Sequence, residues 1–198
     1  MFYKTNEPHG LPHNPFKALV APRPIGWISS KSASGALNLA PYSFFNAVCD
    51  TPPIVMFSSS GYKDSVANIE ATGEFVCNLA TQHLQDAMNT SSKMVDSDVS
   101  EFDLAGLDTA TCEIVRVPRV AAAKAALECK ALSIQRLVDL AGEETNSWVV
   151  FGQVVGVHID DDVLVDGLID MSRLKLLSRL GYMDYAVIDD VFAMPRPQ

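Results

Sequence analysis

The chain has 198 residues and a mass of 21.5 kDa, which suits a single domain. Hydrophobic residues make up 48% of it and charged residues 20%, so the sequence can bury a core and is not disordered by composition. The 15 Lys and Arg against 24 Asp and Glu leave a net charge of −9, which argues against broad nucleic-acid binding but not against a small basic pocket for one phosphate.

The sequence predicts seven β-strands, several of them bounded by turn residues. Pro-rich residues 21–24 precede the first strand, and a Ser-Gly pair and a Thr-Pro-Pro run mark the next turns. Pro41 has no amide hydrogen, so we expect an edge, a bulge or a loop at that point of the second strand. The apolar run of the third strand suits burial on both faces. The predicted strands are residues 25–30, 37–48, 54–58, 74–79, 112–117, 126–135 and 148–159.

Helical spacing of apolar residues predicts helices at 63–72, 81–88 and 171–180, with a polar loop at 89–100. We expect Gly73 and Gly181 to end the first and last of these helices, and Gly152 and Gly156 to mark bulges or tight curvature in the last strand. Because most successive strands lack an intervening helix, the fold class is mainly β, an antiparallel β-barrel with short helices. Residues 1–198 form one domain, without the Gly-x-Gly-x-x-Gly turn of a dinucleotide-binding fold.

The segment SSSGYKDSVAN, residues 58–68, combines the features of a phosphate-binding loop. A strand ends in three hydroxyls, a glycine and a lysine follow, and a helix begins, so that free amides and the helix dipole would face an anion. One of the two residues after the lysine would cap the helix. The alternative is an ordinary strand-to-helix loop with a solvated lysine. The candidate residues are Ser58, Ser59, Ser60, Lys63, Asp64 and Ser65.

The segment NLAPYSFFN, residues 38–46, places aromatic residues beside polar ones in a strand interrupted by proline. Such a segment can form a flat slot whose amides and Asn side chains bind the edge of a heterocycle. The alternative is that the aromatic residues pack in a core or an interface. The candidate residues are Asn38, Ala40, Pro41, Tyr42, Ser43, Phe44, Phe45 and Asn46.

A third block, residues 173–185, contains the basic residues Arg173, Lys175 and Arg179 in an otherwise acidic chain. One arginine could complete an anion site from across a subunit boundary. The alternative is a charged helix face that pairs with neighbouring carboxylates.

Other kinds of site find little support. No apolar run is long enough to span a membrane, and the N-terminus lacks the apolar run of a signal peptide, so we expect a soluble, cytoplasmic protein. The four cysteines form no Cys-x-x-Cys pair and are expected to be reduced, and the four histidines lack metal-ligand spacing. His158 is expected to be an ordinary sheet residue, and Asp160–Asp162 a turn and not a calcium loop. With no nucleophile or metal centre indicated, catalytic residues stay unassigned, and a bound organic cofactor is favoured.

In these blocks the sequence resembles the flavin reductase-like, FMN-binding split-barrel family. The resemblance extends in order along nearly the whole chain, although Gly181-Tyr182 stands where many members have two glycines. Its motifs are RPIGWISS (23–30), NLAPYSFFNAV (38–48), PPIVMFSSSGYKDSVANI (52–69), EFVCNL (74–79), SEFDLAGL (100–107), ALECKAL (126–132) and RLGYMDY (179–185).

The resemblance implies a homodimer that binds FMN non-covalently near the subunit interface. Residues 38–46 would lie along the isoalloxazine ring, and Ser58, Ser59, Ser60 and Lys63 would hold the phosphate. Arg179 and Tyr182 would come from the partner subunit. With NADH or NADPH as donor, the implied activity is that of a flavin reductase, which can also supply a partner monooxygenase. The alternatives are an FMN electron carrier without NAD(P)H activity and a non-catalytic ligand-binding barrel.

Overall fold

The computed structural model describes residues 1–197 of the chain, and most of its regular structure is β. The strands are β1 (Arg23–Pro24), β2 (Gly26–Lys31), β3 (Leu37–Tyr42), β4 (Phe45–Asp50), β5 (Pro53–Ser60), β6 (Glu74–Leu79), β7 (Thr109–Ala110), β8 (Arg119–Val120), β9 (Ala125–Val138), β10 (Glu144–Ile159), β11 (Leu164–Val165), β12 (Leu168–Ile169), β13 (Leu177–Arg179) and β14 (Tyr185–Val187).

Helices are few and short. The α-helices are α1 (Phe16–Leu19), α2 (Asp64–Thr72), α3 (Gln85–Thr90), α4 (Glu101–Leu104) and α5 (Met171–Leu174), with 3₁₀ turns at Gln82–Leu84 and Asp161–Val163. None of these helices has the length and apolar character that crossing a lipid bilayer would require.

One seven-stranded antiparallel sheet organises the molecule, in the order β3-β2-β6-β9-β10-β5-β4. The pairing of the long strands β9 and β10 shifts register between Phe151 and Gly152 and between Val154 and Gly156, as the two glycines of β10 predict. A second, three-stranded sheet, β1-β13-β14, packs beside it through Leu177, which shares a core cluster with Trp27 and Leu39. The mainly β, antiparallel fold class is confirmed.

The core lies on both faces of β2, because alternate residues of a strand point to opposite sides of the sheet. Ile28 packs with Phe57 and Phe75 in a cluster that α2 covers, whereas Trp27 packs with a second cluster that includes Leu39. All five side chains are fully buried. Each contributes on the order of 1.5–3 kcal/mol of transfer free energy.

The segment predicted as one strand over 37–48, interrupted at Pro41, is two strands, β3 and β4, so the prediction of a single strand was wrong. The break falls at Ser43 and Phe44 and not at Pro41, which lies inside β3 opposite Trp27. Because β3 is the edge of the sheet, the missing amide of Pro41 costs no ladder hydrogen bond. The prediction of an edge at Pro41 is confirmed. The chain turns sharply two residues later, and this corner positions the candidate site.

The predicted strand at 112–117 is wrong, because a buried carboxylate organises that segment. Glu128 accepts hydrogen bonds from the successive amides of Glu113, Ile114 and Val115, at 2.7–2.9 Å. Successive amides of a strand point in opposite directions, so amides that converge on one carboxylate rule out strand geometry. His158 Nε2 lies 2.6 Å from Glu128 Oε1, so His158 is a hydrogen-bonded sheet residue as predicted.

The predicted helix at 171–180 is also wrong beyond its first turn. α5 ends at Lys175, which is in the left-handed region, and the chain continues as β13. The amide of Leu177 donates to Ala80 O at 2.9 Å, and Arg179 pairs with Arg23 of β1. These long-range backbone hydrogen bonds outweigh the local helical spacing of the leucines.

Smaller differences concern the other predicted elements. The helix at 63–72 begins one residue later and ends at Gly73, whose φ of 74° confirms the predicted stop. The helix at 81–88 is a 3₁₀ turn followed by α3, which extends to Thr90 into the predicted loop. The strand at 54–58 extends to Ser60 and is buried only at alternate residues, so it is not covered along its length on both faces.

Candidate functional site

Three surface depressions meet at the corner between β3 and β4. The first, which we call the lysine cleft, has a volume of about 300 Å³ and lies between β3, the start of α2 and the loop before α4. Seven of the candidate residues line it together: Asn38, Ala40, Pro41, Tyr42, Lys63, Asp64 and Ser65. The structure thus brings together residues of two separate motifs, 38–46 and 58–68.

The other two depressions extend from the same corner. The cationic groove, of about 360 Å³, is lined by Pro41, Ser43, Arg179 and Tyr182 together with Lys17 and Arg23. The apolar groove, of about 850 Å³, is lined by Ser43, Phe44, Phe45, Asn46 and Ser58 together with apolar side chains such as Phe16 and Leu19. Pro41 is common to the first two depressions and Ser43 to the last two, so the three adjoin.

The start of α2 lacks a side-chain cap, contrary to the prediction that Asp64 or Ser65 caps it. The N-cap residue is Lys63, and no side chain accepts from the first-turn amides. Within residues 1–197 the amides of Tyr62, Lys63 and Asp64 donate no hydrogen bond. The first amides of a helix need an external acceptor, and together with the helix dipole they favour an anion.

Lys63 itself is exposed and forms no salt bridge within the described residues. Its ammonium group is therefore free to neutralise a ligand anion at the first turn of α2. Ser65 is committed elsewhere, because its buried Oγ accepts from Asn38 Nδ2 at 2.8 Å. This bond fixes β3 to α2 and holds the two sides of the lysine cleft in register.

The three serines at the end of β5 have different surroundings, because successive strand residues alternate in direction. Ser58 is half-buried in the wall of the apolar groove, and Ser60 is exposed. Ser59 is fully buried, and its Oγ donates to Gly61 O at 2.8 Å. Ser58 and Ser60 are therefore the hydroxyls that a surface ligand can reach.

The aromatic residues at the corner divide between core and surface. The Tyr42 ring packs on Phe57 in the core, with ring centroids 4.6 Å apart. Phe45 packs over Gly26, where an added Cβ would lie 2.5 Å from its ring. Only Phe44 is exposed, with Lys17 and Arg23 over its ring. An aromatic slot built from all three rings is therefore not formed, and core packing, the alternative, holds for Tyr42 and Phe45.

Backbone donors at the corner are concentrated at its turn. The amide of Leu39, which points away from the sheet, donates a hydrogen bond to Glu101 Oε2 at 2.9 Å. Pro41, two residues later, has no amide hydrogen. The amides of Ser43 and Phe44 donate no hydrogen bond within residues 1–197. A heterocycle lying along this edge would therefore find carbonyl oxygens beside β3 and N–H donors at the turn.

Two buried groups in the lysine cleft have perturbed pKa values. Burial raises the pKa of Glu101, although its bond to the Leu39 amide acts in the opposite direction. Burial also raises the pKa of Tyr42, near the hydroxyls of Ser65 and Ser59, and the Tyr42 Oη atom has no hydrogen-bond partner in the described chain. Sequence reasoning did not select Glu101 as a site residue. The feature that could have indicated it is an acidic residue at the end of a polar loop, in the motif SEFDLAGL.

Because α5 ends within the basic block of residues 173–185, the three basic side chains do not lie on one helix face. Arg173 pairs with Asp170 at 3.5 Å and Lys175 pairs with Asp189, as the alternative of ordinary surface pairing predicts. Arg179 instead donates to the carbonyl of Tyr182 and lies over the Tyr185 ring at 4.4 Å. Sequence reasoning missed Lys17 and Arg23, which join Arg179 in the cationic groove.

Comparison with known proteins identifies relatives of the whole fold. The family model "Flavin reductase like domain" matches residues 19–175. A protein of Aquifex aeolicus is 36% identical over 169 residues, which cover 82% of this chain and 83% of that protein. Nitrilotriacetate monooxygenase component B from Bacillus cereus is similar in structure, with a TM-score of 0.86 and 28% identity over 98% of this chain and 99% of its own.

Two further solved structures share the fold at lower identity. A split-barrel-domain protein from Shewanella frigidimarina has a TM-score of 0.82 and 23% identity, covering 92% of this chain and 90% of its own. An FMN-binding protein from Thermus thermophilus has a TM-score of 0.76 and 17% identity, covering 98% and 99%. The motif resemblance, the family model and the architecture agree, and the chain belongs to the flavin reductase-like family of split-barrel proteins.

Proposed function

We propose that the protein binds FMN along the corner between β3 and β4 and acts as an NAD(P)H-dependent flavin reductase. The observation that carries the proposal is the lysine cleft, where amides without an acceptor meet an unpaired lysine. In a chain of net charge −9, such a group of donors is an anion site inside an acidic surface. The family and the name of the FMN-binding neighbour support FMN as the ligand.

In this proposal the phosphate binds at the start of α2. The amides of residues 62–64 and the Lys63 ammonium would hold it, with the exposed Ser60 as a hydroxyl donor at the end of β5. Ser58 lines the apolar groove and not the lysine cleft. Lys63 can contribute its full charge because no carboxylate of residues 1–197 neutralises it. Asp64 orients its backbone amide and not its carboxylate to the phosphate, since like charges repel.

The ring would lie along residues 38–46, over Ala40 and Pro41. Its polar edge would accept hydrogen bonds from the amides of Ser43 and Phe44, which have no other acceptor in the described chain. Asn38, held by Ser30 and Ser65, keeps β3 in place beneath the ring. The protein's part is to bind and orient the flavin and to exclude water from one of its faces.

Bound FMN would supply the redox chemistry, accepting hydride from NADH or NADPH and passing electrons to free flavin, oxygen or another acceptor. No side chain of this site needs to act as an acid or a base. The name of the Bacillus cereus neighbour, a monooxygenase component, supports a separate oxygenase as one consumer of the reduced flavin.

A second copy of the chain would complete the site. The apolar groove carries exposed apolar side chains at Phe16, Leu19, Phe44, Val48 and Leu137. A contiguous apolar surface of this kind is typical of an interface, and it adjoins the corner where the ring would lie. We therefore propose a homodimer with the flavin beside the subunit boundary, where Arg179 and Tyr182 would approach the partner's cofactor.

An anaerobic titration tests this function. FMN is added to the purified protein, and NADH or NADPH is then added to the complex while the visible flavin spectrum is recorded. A flavin reductase binds FMN and loses the visible absorbance with one of the nicotinamides. A complex that binds FMN but reacts with neither donor would instead be an electron carrier, and a protein that does not bind FMN would refute both proposals.

A further inference from the structure

The cationic groove concentrates positive charge in an acidic protein. Lys17, Arg23 and Arg179 line it, and no Asp or Glu does so among the described residues. Some cations elsewhere in the chain face carboxylates, as Lys124 and Arg136 do. The groove is therefore a locally positive surface on a protein whose net charge is −9.

None of the three cations has a carboxylate partner within residues 1–197. Arg23 is 6% exposed and donates only to backbone carbonyls, including Leu180 O at 2.8 Å, while its buried Nε atom has no acceptor. Arg179 donates to the Tyr182 carbonyl. Lys17 is exposed, with its Nζ atom 5.9 Å from the centre of the Phe44 ring.

Holding these charges together has an energetic cost that an anion would remove. Burial lowers the pKa of Arg23, and the nearby charge of Arg179 lowers it further. Like charges in a partly buried groove repel one another, whereas an oxyanion between them would gain charge-assisted hydrogen bonds from both guanidinium groups. The geometry of a guanidinium fork suits the oxygens of a phosphate or a carboxylate.

The position of the groove links it to the proposed flavin. It shares Pro41 with the lysine cleft and Ser43 with the turn whose amides would bind the ring. A molecule that exchanges electrons with the ring must lie against it, so an anionic group close to its reacting end would lie within reach of the groove.

We propose that the cationic groove binds an oxyanion of the second substrate, either a phosphate of the dinucleotide donor or a carboxylate of the electron acceptor. The inference rests on the proposed function, because it assigns the substrate chemistry of the same site. Lys17 is then a specificity residue that attracts anionic substrates without contacting FMN.

Lys17→Gln tests the proposal, with Lys130→Gln as the control. Both lysines are exposed and outside any salt bridge of the described chain, so the two variants change the net charge equally, and Lys130 lies on β9 away from the groove. Inorganic pyrophosphate and benzoate are titrated separately into the FMN-loaded proteins by calorimetry. The Michaelis constants for NADH, NADPH and the uncharged donor 1-benzyl-1,4-dihydronicotinamide are measured in parallel.

We expect Lys17→Gln to weaken binding of one probe about three- to tenfold, the effect of losing one hydrogen bond of typical strength, while Lys130→Gln does not. Weaker pyrophosphate binding, with higher Michaelis constants for NADH and NADPH but not for the uncharged donor, identifies the dinucleotide. Weaker benzoate binding alone identifies an acceptor carboxylate.

Equal effects of the two variants, or no binding of either probe, would overturn the proposal. A loss of FMN affinity in Lys17→Gln would also overturn it, since the groove would then hold the cofactor. Failure of the parent protein to bind FMN at all would instead refute the proposed function, so the two failures are distinguishable.

Discussion

At the scale of single residues, hydrogen bonding separates the polar groups that build the fold from those left for a ligand. Glu128 and Ser59 are buried with their partners inside the chain. Lys63 and the turn amides of Ser43 and Phe44 have none in the described chain. Buried polar groups without partners are costly, and surface donors without partners are free to bind, so this division points to the site.

Glu128 makes stability depend on pH. Burial acts to raise the pKa of Glu128, but the amides of Glu113, Val115 and Ile114 and the His158 ring outweigh burial and lower it from 4.5 to about 2. A lowered folded-state pKa stabilises the protein above pH 4.5, and this stabilisation, about 3 kcal/mol, is lost as the pH falls from about 4.5 to 2. We expect Glu128→Gln to remove that pH dependence and to destabilise the protein at pH 7.

Denaturant unfolding of both proteins between pH 7 and pH 3 measures this effect. Glu113→Gln is the matched control, because Glu113 is exposed and its side chain has no ion pair in the described chain. The parent and Glu113→Gln should lose stability in parallel as the pH falls. If Glu128→Gln follows the same curve as these two, the carboxylate does not have the role assigned to it.

Residue types in the sequence predicted a candidate anion site but not every orientation within it. The lysine before a helix was sufficient to predict free amides around Lys63. The burial of Ser59 and Tyr42 could not be predicted, because it depends on where β5 ends and on which face of β3 meets the core. Lys17 and Arg23 were missed because they meet Arg179 only through the pairing of β1 with β13.

At the scale of secondary-structure elements, local patterns were reliable where the sheet supports them. The strand at Glu74–Leu79 has the predicted boundaries, and α2 ends at the predicted glycine. The patterns failed at 112–117 and 171–180, where a buried carboxylate and a strand partner distant in sequence determine the backbone. Such contacts have no signal within a local window of sequence.

The curvature of β10 depends on the absence of a side chain at Gly152. A Cβ added there would lie 2.3 Å from the Phe75 ring, which is fully buried in the core. Because Phe75 has little room to move, we expect Gly152→Ala to destabilise the protein by about 1–3 kcal/mol. Thermal or denaturant unfolding measures the loss. An unchanged unfolding free energy would mean that the strand and the ring can separate without cost.

At the scale of the whole molecule, acidity and apolar surface have separate consequences. The net charge of −9 disfavours polyanions, while the lysine cleft and the cationic groove are the proposed local sites for small anions. The antiparallel, mainly β architecture could be predicted from the order of the elements, and the family from their motifs. The apolar groove could not be predicted from the sequence, because residues of α1, β4, β5 and the two long strands β9 and β10 form it together.

The apolar groove predicts the oligomeric state. If it is the interface between two copies, Val48→Asp places a charge in it, so we expect the dimer to dissociate. Val157→Asp is the control, because Val157 is similarly exposed but does not line the groove. Light scattering coupled to size exclusion reports the masses. A parent protein that is monomeric, or a Val48→Asp variant that stays dimeric, would contradict the proposed interface.

The most direct test of FMN binding at the lysine cleft compares FMN with riboflavin, which lacks the phosphate. Affinities are measured by flavin fluorescence for the parent, for Lys63→Ala and for Lys130→Ala as a surface control. We predict that Lys63→Ala lowers FMN affinity by about 1–3 kcal/mol, the contribution of hydrogen bonds to a charged group, and leaves riboflavin affinity unchanged. Equal FMN affinities in the parent and Lys63→Ala would contradict the assignment of the phosphate to this cleft.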